Sequence, residues 1–199
     1  FPGRQRRSIL ARLDYPDLDT LDEQTTRRLN ALGRPLNIFR MLAWSPGLLA
    51  GFQDMGAVVL GGLELDAALR EIAILRVARV AGAGYEWAQH VPIGMACGVT
   101  QAQVDALEQG EVNSGAFSEL ERGVIAAADE LLADARLGDA TLEKLRAALG
   151  DRQVVELLVA VGFYTMVSRF LESTGVELED GGVPGPDEQR RVMDRVGGA

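Results

Sequence analysis

The sequence predicts an all-α fold, a compact helical bundle, and three observations predict it. Helix start and stop signals recur along the whole chain. No alternating period-two run bounded by hairpin turns is present. A late stretch carrying Val154, Val155, Leu157, Leu158, Val159, Val161, Phe163 and Val167 is apolar on most sides at helical spacing, so it predicts a helix buried all round, at the centre of a bundle or partly against another subunit.

The elements follow in order. Thr20-Leu21-Asp22-Glu23 is a capping-box sequence, with Gly33 and Pro35 as the stop for the helix it opens. Ser45-Pro46 starts a second helix, ended by Gly61-Gly62. Asp66 caps a third over about 67–81, terminated by Gly82 and Gly84, and a fourth follows at once over about 85–97, closing at Gly98. Thr100 through Gln103 and Ser118 through Glu121 open two more with capping boxes, the second reaching about Ala133. Asp139 introduces a helix ending at Gly150, and Asp151 caps the last, over about 152–173, stopped by Gly175. Three regions result: a flexible N-terminal segment over 1–19, one all-helical domain over 20–178 with its core motif at about 66–98, and a flexible Gly/Pro-rich tail over 179–199.

Composition narrows the function. The 199 residues suit one domain. Twenty Lys and Arg against 29 Asp and Glu give a net charge of -9, a field that repels polyanions, so nucleic acid is not expected as a partner. A single cysteine, Cys97, leaves no internal disulfide and no dithiol pair, and a single histidine, His90, leaves no metal site built on two imidazoles. The apolar run over 157–167 is far shorter than the ~20 residues of a membrane span, and the apolar stretch after the basic opening residues is too brief for a secretory signal. The expectation is a cytoplasmic protein with no membrane partner.

The chemistry concentrates in the third and fourth helices. At about 100° per residue, Glu71 falls within an arc of Ala67, Ala68, Ile74, Leu75, Ala78 and Ala81 as its only charged member. A carboxylate there must be paired, hydrogen-bonded or protonated. Arg70, Arg76 and Arg79 lie elsewhere around the axis, Arg79 nearest, and are poor candidates for a direct intrahelical partner. Glu86 and His90, four apart, share a face extended by Ile93 and Cys97. The short Gly82-Ala83-Gly84 joint can bring that face opposite Glu71.

Two carboxylates near one imidazole form a proton-handling set, in which one fixes the tautomer and the other exchanges protons. The plainer reading of Glu86 and His90 is a surface i,i+4 contact. Arg79 and Tyr85 are the substrate-binding candidates, against the plainer reading of a solvated charge and a packing residue. Cys97 reads as a small core residue, and Pro92 removes an amide that would bond the Ala88 carbonyl, which predicts a kink near His90.

The runs 69–78 (Leu69 to Ala78), 85–90 (Tyr85-Glu86-Trp87-Ala88-Gln89-His90) and 98–100 (Gly98-Val99-Thr100), with Asn37 to Leu42 and Ser45-Pro46 upstream, resemble the carboxymuconolactone decarboxylase family, within the superfamily of alkyl hydroperoxidase D-like proteins. The resemblance covers about 37–175 and implies a helical bundle of the alkyl hydroperoxidase D-like type. In the peroxidase branch a Glu precedes a C-x-x-C pair and a His. Aligned on that spacing, Glu71 and His90 match, while the two cysteine positions fall on Ala83 and Glu86, so a dithiol peroxidase is disfavoured.

The decarboxylase branch implies cofactor-free, metal-free loss of CO₂ from an unsaturated lactone acid, with His90 as general acid/base, Glu86 tuning or relaying its proton and Glu71 orienting the ring. The resemblance also implies a homo-oligomer, trimeric or hexameric, acting on a small molecule. Three alternatives stand beside it: isomerisation or hydration of a similar substrate by the same residues, a non-catalytic oligomeric binding or stress protein, and a metal site of Glu71, Glu86 and His90.

Overall fold

The computed structural model describes residues 11–30 and 35–183, and among them all regular structure is helical. A 3₁₀ turn (Leu18–Thr20) precedes α1 (Glu23–Asn30), α2 (Asn37–Leu42), α3 (Pro46–Gly61), α4 (Ala67–Ala81), α5 (Gly84–Ala96), α6 (Gln101–Gln109), α7 (Glu119–Ala133) and α8 (Asp139–Thr174). Helix α4 is the hub, packed on α5, α7 and α8. It buries Leu69, Ile72, Ile74, Leu75 and Val77, and full burial of each such side chain contributes on the order of 1.5–3 kcal/mol.

Local sequence chemistry sets the ends of these helices. The Asp66 carboxylate accepts from the Ala68 and Leu69 amides to start α4. Gly82, at φ 69°, ends it in a left-handed turn that a side chain would disfavour. Both capping boxes form: the Thr100 hydroxyl takes the Gln103 amide while Gln103 returns to the Thr100 amide, and Ser118 and Glu121 do the same for α7. Helix α5 continues through Pro92 to Ala96.

Several expectations need correction. The box at Thr20 does not form, because Asp22 is better placed: its carboxylate accepts from both the amide and the hydroxyl of Thr25, and α1 starts at Glu23. The stop assigned to Gly33 lies outside the described residues, which carry α1 as far as Asn30. Helix α8 carries the expected break at Gly150, whose φ 77° and ψ 169° are not helical. Asp151 supplies no cap there, since its carboxylate is taken by the Arg146 guanidinium at 2.6 Å.

Beyond the break, α8 is not buried all round. Leu157, Val161 and Leu171 lie in the core, but Val155, Val159 and Met166 are 58, 40 and 47% exposed along one stripe. Helix α8 is long and apolar enough to cross a membrane by length and composition, and in this fold it packs on α4 and α7.

Neither flank is wholly loose. The Arg12 amide donates to the Thr174 carbonyl at 2.8 Å, and Trp44 Nε1 donates to the Asp14 carbonyl at 2.9 Å, so residues 11–19 are attached to the bundle. The folded part also extends past residue 178. Glu179 is buried and accepts from the Asn37 amide, the Tyr85 hydroxyl and Gln89 Nε2 at 2.8, 2.6 and 2.7 Å.

Candidate active site

The Gly82-Ala83-Gly84 corner folds α5 back on α4 and sets Glu71 facing His90. His90 Nδ1 stands 2.7 Å from Glu71 Oε2, and His90 Nε2 stands 2.9 Å from Glu86 Oε1. The other Glu71 oxygen, Oε1, accepts from Arg70 Nε and Nη2 at 3.0 and 2.9 Å. All four side chains are buried, Glu71 completely. A continuous polar line therefore runs from Arg70 through Glu71 and His90 to Glu86. Glu86 Oε2 is the one carboxylate oxygen of this set without a protein donor among the described residues.

Electrostatics follow from this geometry. Burial works against a charged imidazole, but Glu71 and Glu86 on either side outweigh it and raise His90 to about 10. Burial also opposes the Glu71 carboxylate, and it is overcome by His90 and Arg70, which hold Glu71 below its ordinary value. Near neutral pH the ring is an imidazolium donating from both nitrogens. Two carboxylates then balance one guanidinium and one imidazolium, which is how a buried cluster of charges is tolerated.

The surroundings hold this arrangement. The Tyr164 ring of α8 meets the imidazole edge-on, with centroids 4.8 Å apart, and burial, then the nearby Glu86 and Glu71, raise its hydroxyl. Gly94, one turn after His90, lets α5 approach α4 at Glu71. Cys97 is half-buried, with Sγ 3.8 Å from Arg70 Nη2. Its thiol is pushed up by burial and by Glu71, which argues against a ready nucleophile.

Glu71, Glu86 and His90 thus come together as the sequence suggests. Arg79 and Tyr85 do not join them. Arg79 Nε donates to the Glu108 carbonyl at the surface, and the Tyr85 hydroxyl donates to Glu179. Arg76 forks onto Asp129. The direct partner of Glu71 is Arg70, against the helical-wheel expectation, because a long side chain one position away can curl back along the axis. The signal available was a cation beside a carboxylate in the run Leu69 to Leu75, whose other residues are all apolar. Tyr164 carried no signal, since its approach to His90 depends on how α8 crosses α5.

Residues 46–130, which hold all four polar residues, match the carboxymuconolactone decarboxylase family. The matched segment spans less than half of the chain. No curated protein matches it in sequence. Solved structures share the fold at low identity. An uncharacterised peroxidase-related protein from Silicibacter sp. TM1040 aligns with a TM-score of 0.77 and 19% identity over 92% of this chain and 99% of that one. The alkylhydroperoxidase AhpD core of an uncharacterised peroxidase-related protein from Ralstonia eutropha JMP134 aligns with a TM-score of 0.75 and 17% identity over 88% and 95%. The debrominase Bmp8, solved as a cysteine-to-alanine variant with 2,3,4-tribromopyrrole, gives 0.64 and 18% over 96% and 98%.

Within the carboxymuconolactone decarboxylase family region, the single cysteine of the chain, Cys97, contacts Arg70 and neither nitrogen of His90. The metal-site alternative fares poorly on geometry. Glu71 and Glu86 bond opposite nitrogens of one ring, so the three groups do not converge on a common point. Among the described residues no cluster of three or more His, Cys, Asp or Glu side chains is arranged to hold a metal ion.

Proposed function

We propose that this chain is a cofactor-independent acid–base enzyme of the carboxymuconolactone decarboxylase type, acting on an unsaturated lactone acid or a related keto acid. The observation that carries this reading is the position of Glu86, whose Oε1 meets His90 Nε2 while its Oε2 has no protein donor among the described residues. Glu71 has both oxygens engaged and serves to orient the ring. His90 has both nitrogens engaged, so it reaches substrate through Glu86, and the proton-exchanging role moves from the imidazole to the Glu86 carboxyl.

In the reaction, the bond from the substrate carbon to its carboxylate breaks and CO₂ leaves. The electron pair left behind delocalises into the lactone carbonyl as a dienolate. The proton on His90 Nε2 passes to the Glu86 carboxylate and from its carboxyl to carbon, and solvent restores the imidazolium after product release. The energetic requirement is a proton held ready at near-neutral pH in a water-poor site, which an imidazolium flanked by two carboxylates provides.

The exposed stripe of Val155, Val159 and Met166 supports a homo-oligomer as part of the same reading, because a monomer gains nothing from leaving three such side chains in one row in water.

The test measures CO₂ release and solvent deuterium incorporation across unsaturated lactone acids and keto acids. Glu86→Gln is expected to lower turnover by ~10²–10⁴, and hydroperoxides are expected to be inert. Deuterium incorporation without CO₂ release would assign isomerisation instead. Absence of both with every substrate, or full turnover in Glu86→Gln, would overturn the acid–base reading.

A further inference from the structure

We infer that Arg70 is a positioning residue that confines the mobile proton of the site to its His90–Glu86 half. The inference rests on the acid–base reading above and assigns a fourth member to the set.

Arg70 approaches Glu71 as a fork. Nε and Nη2 both point at Oε1, at 3.0 and 2.9 Å, and neither takes Oε2. Oε2 is thereby left to His90 Nδ1 at 2.7 Å, in a carboxylate plane that the guanidinium fixes. Nη2 also reaches Cys97 Sγ at 3.8 Å, so the fork is held from α5 as well as from α4. With Arg70 only 4% exposed, the pair works in a low-dielectric setting where charge is felt strongly.

The consequence concerns proton location. Glu71 and His90 share a short hydrogen bond, and the proton in it rests on whichever group is the stronger base. A permanent cation on Oε1 weakens Glu71 as a base and keeps that proton on Nδ1. Exchange is then restricted to the other side of the ring, from Nε2 to Glu86, and the ring keeps one orientation through a cycle. Without the cation, Glu71 competes for the proton and the imidazole loses the charge with which it resupplies Glu86.

The single histidine makes this measurable without a substrate. In tag-free protein labelled with ¹⁵N-histidine, nitrogen shifts and one-bond N–H couplings at neutral pH report the proton on each ring nitrogen separately. Wild type is expected to show both nitrogens protonated. Arg70→Gln is expected to show a reduced coupling at Nδ1, with the shift moving toward the unprotonated range.

Arg70→Lys keeps the charge without the fork. It is expected to retain the Nδ1 proton while turnover falls on the order of 10–100-fold, the range for a group that orients a ligating imidazole, with KM changed less than ~3-fold because substrate contacts are intact. A folded Arg70→Gln protein with unchanged Nδ1 signals would overturn the inference. Should that variant not fold, loss of the Nδ1 proton in Arg70→Lys would overturn it equally. Absence of turnover in the wild type with every acid tried would sink the proposed reaction and leave the nitrogen spectra to decide the role of Arg70.

Discussion

Gly94 and Glu71 face each other across the α4–α5 contact at a spacing that a side chain on Gly94 would strain. A methyl group at Gly94 would lie 3.4 Å from Glu71 Cβ and 3.3 Å from Leu75 Cδ1. Gly94 follows His90 by four residues, so the spacing between these helices at that point sets the length of the His90–Glu71 hydrogen bond. Gly94→Ala is expected to move α5 outward by a few tenths of an ångström and lengthen that bond. Turnover is expected to fall several-fold, while the far-ultraviolet circular dichroism spectrum is unchanged. A variant as active as wild type would mean that the helix spacing is adjustable.

The imidazolium contributes to stability in a defined pH window. His90 stands at about 10 in the fold against an ordinary value of 6.5, so its folded value is raised. Its contribution is therefore complete below about pH 6.5 and is lost as pH rises toward 10. The groups facing the ring are Glu71 from α4, Glu86 from α5 and Tyr164 from α8, with Arg70 behind Glu71. The Tm difference between wild type and His90→Gln is expected to be widest near pH 6 and to close by pH 10. A difference that stays constant over that range would show a neutral ring in the folded protein.

The stripe on α8 predicts association. Placing a charge at its centre, as in Val159→Asp, or at its end, as in Met166→Asp, is expected to convert an oligomer to monomer, with light scattering as the measurement. Both positions are 40% or more exposed in the single chain, so the fold itself should tolerate the change. Wild type that runs as a monomer at all concentrations would remove the oligomer from the proposal.

Glu179 ties the segment after α8 to α5. Glu179→Ala leaves the Tyr85 hydroxyl and Gln89 Nε2 without this acceptor. The cost of leaving the buried Tyr85 hydroxyl without this acceptor is about 1–3 kcal/mol, read as a lower urea midpoint. An unchanged midpoint would mean that water replaces the carboxylate at no loss.

Most of the helical frame was legible because it is written in short-range chemistry. Asp66, Thr100 and Ser118 cap their own next turns, and Gly82, Gly110 and Gly175 take left-handed backbone at helix ends, all within a few residues. The core of the site was legible for the same reason: Glu86 and His90 are one turn apart, and a lone carboxylate in an apolar arc announces a partner.

Other contacts were harder to see. Arg70 was missed because a helical wheel projects the Cβ directions, whereas a guanidinium five bonds farther out can return to the axis. Glu179 and Tyr164 were missed because their partners are set by tertiary packing. The residue separation of 94 between Tyr85 and Glu179 leaves no trace in any local window.

That separation also has a meaning for biosynthesis. The first turns of α5 are made roughly ninety residues before the carboxylate that fastens them, and the aromatic ring that covers His90 arrives only slightly earlier. A ribosome delivering the chain from its N-terminus thus releases the acidic and basic partners of the cluster first and the residues that enclose them last. The buried charges are screened by water during elongation and become sealed together only after Tyr164 and Glu179 have been made.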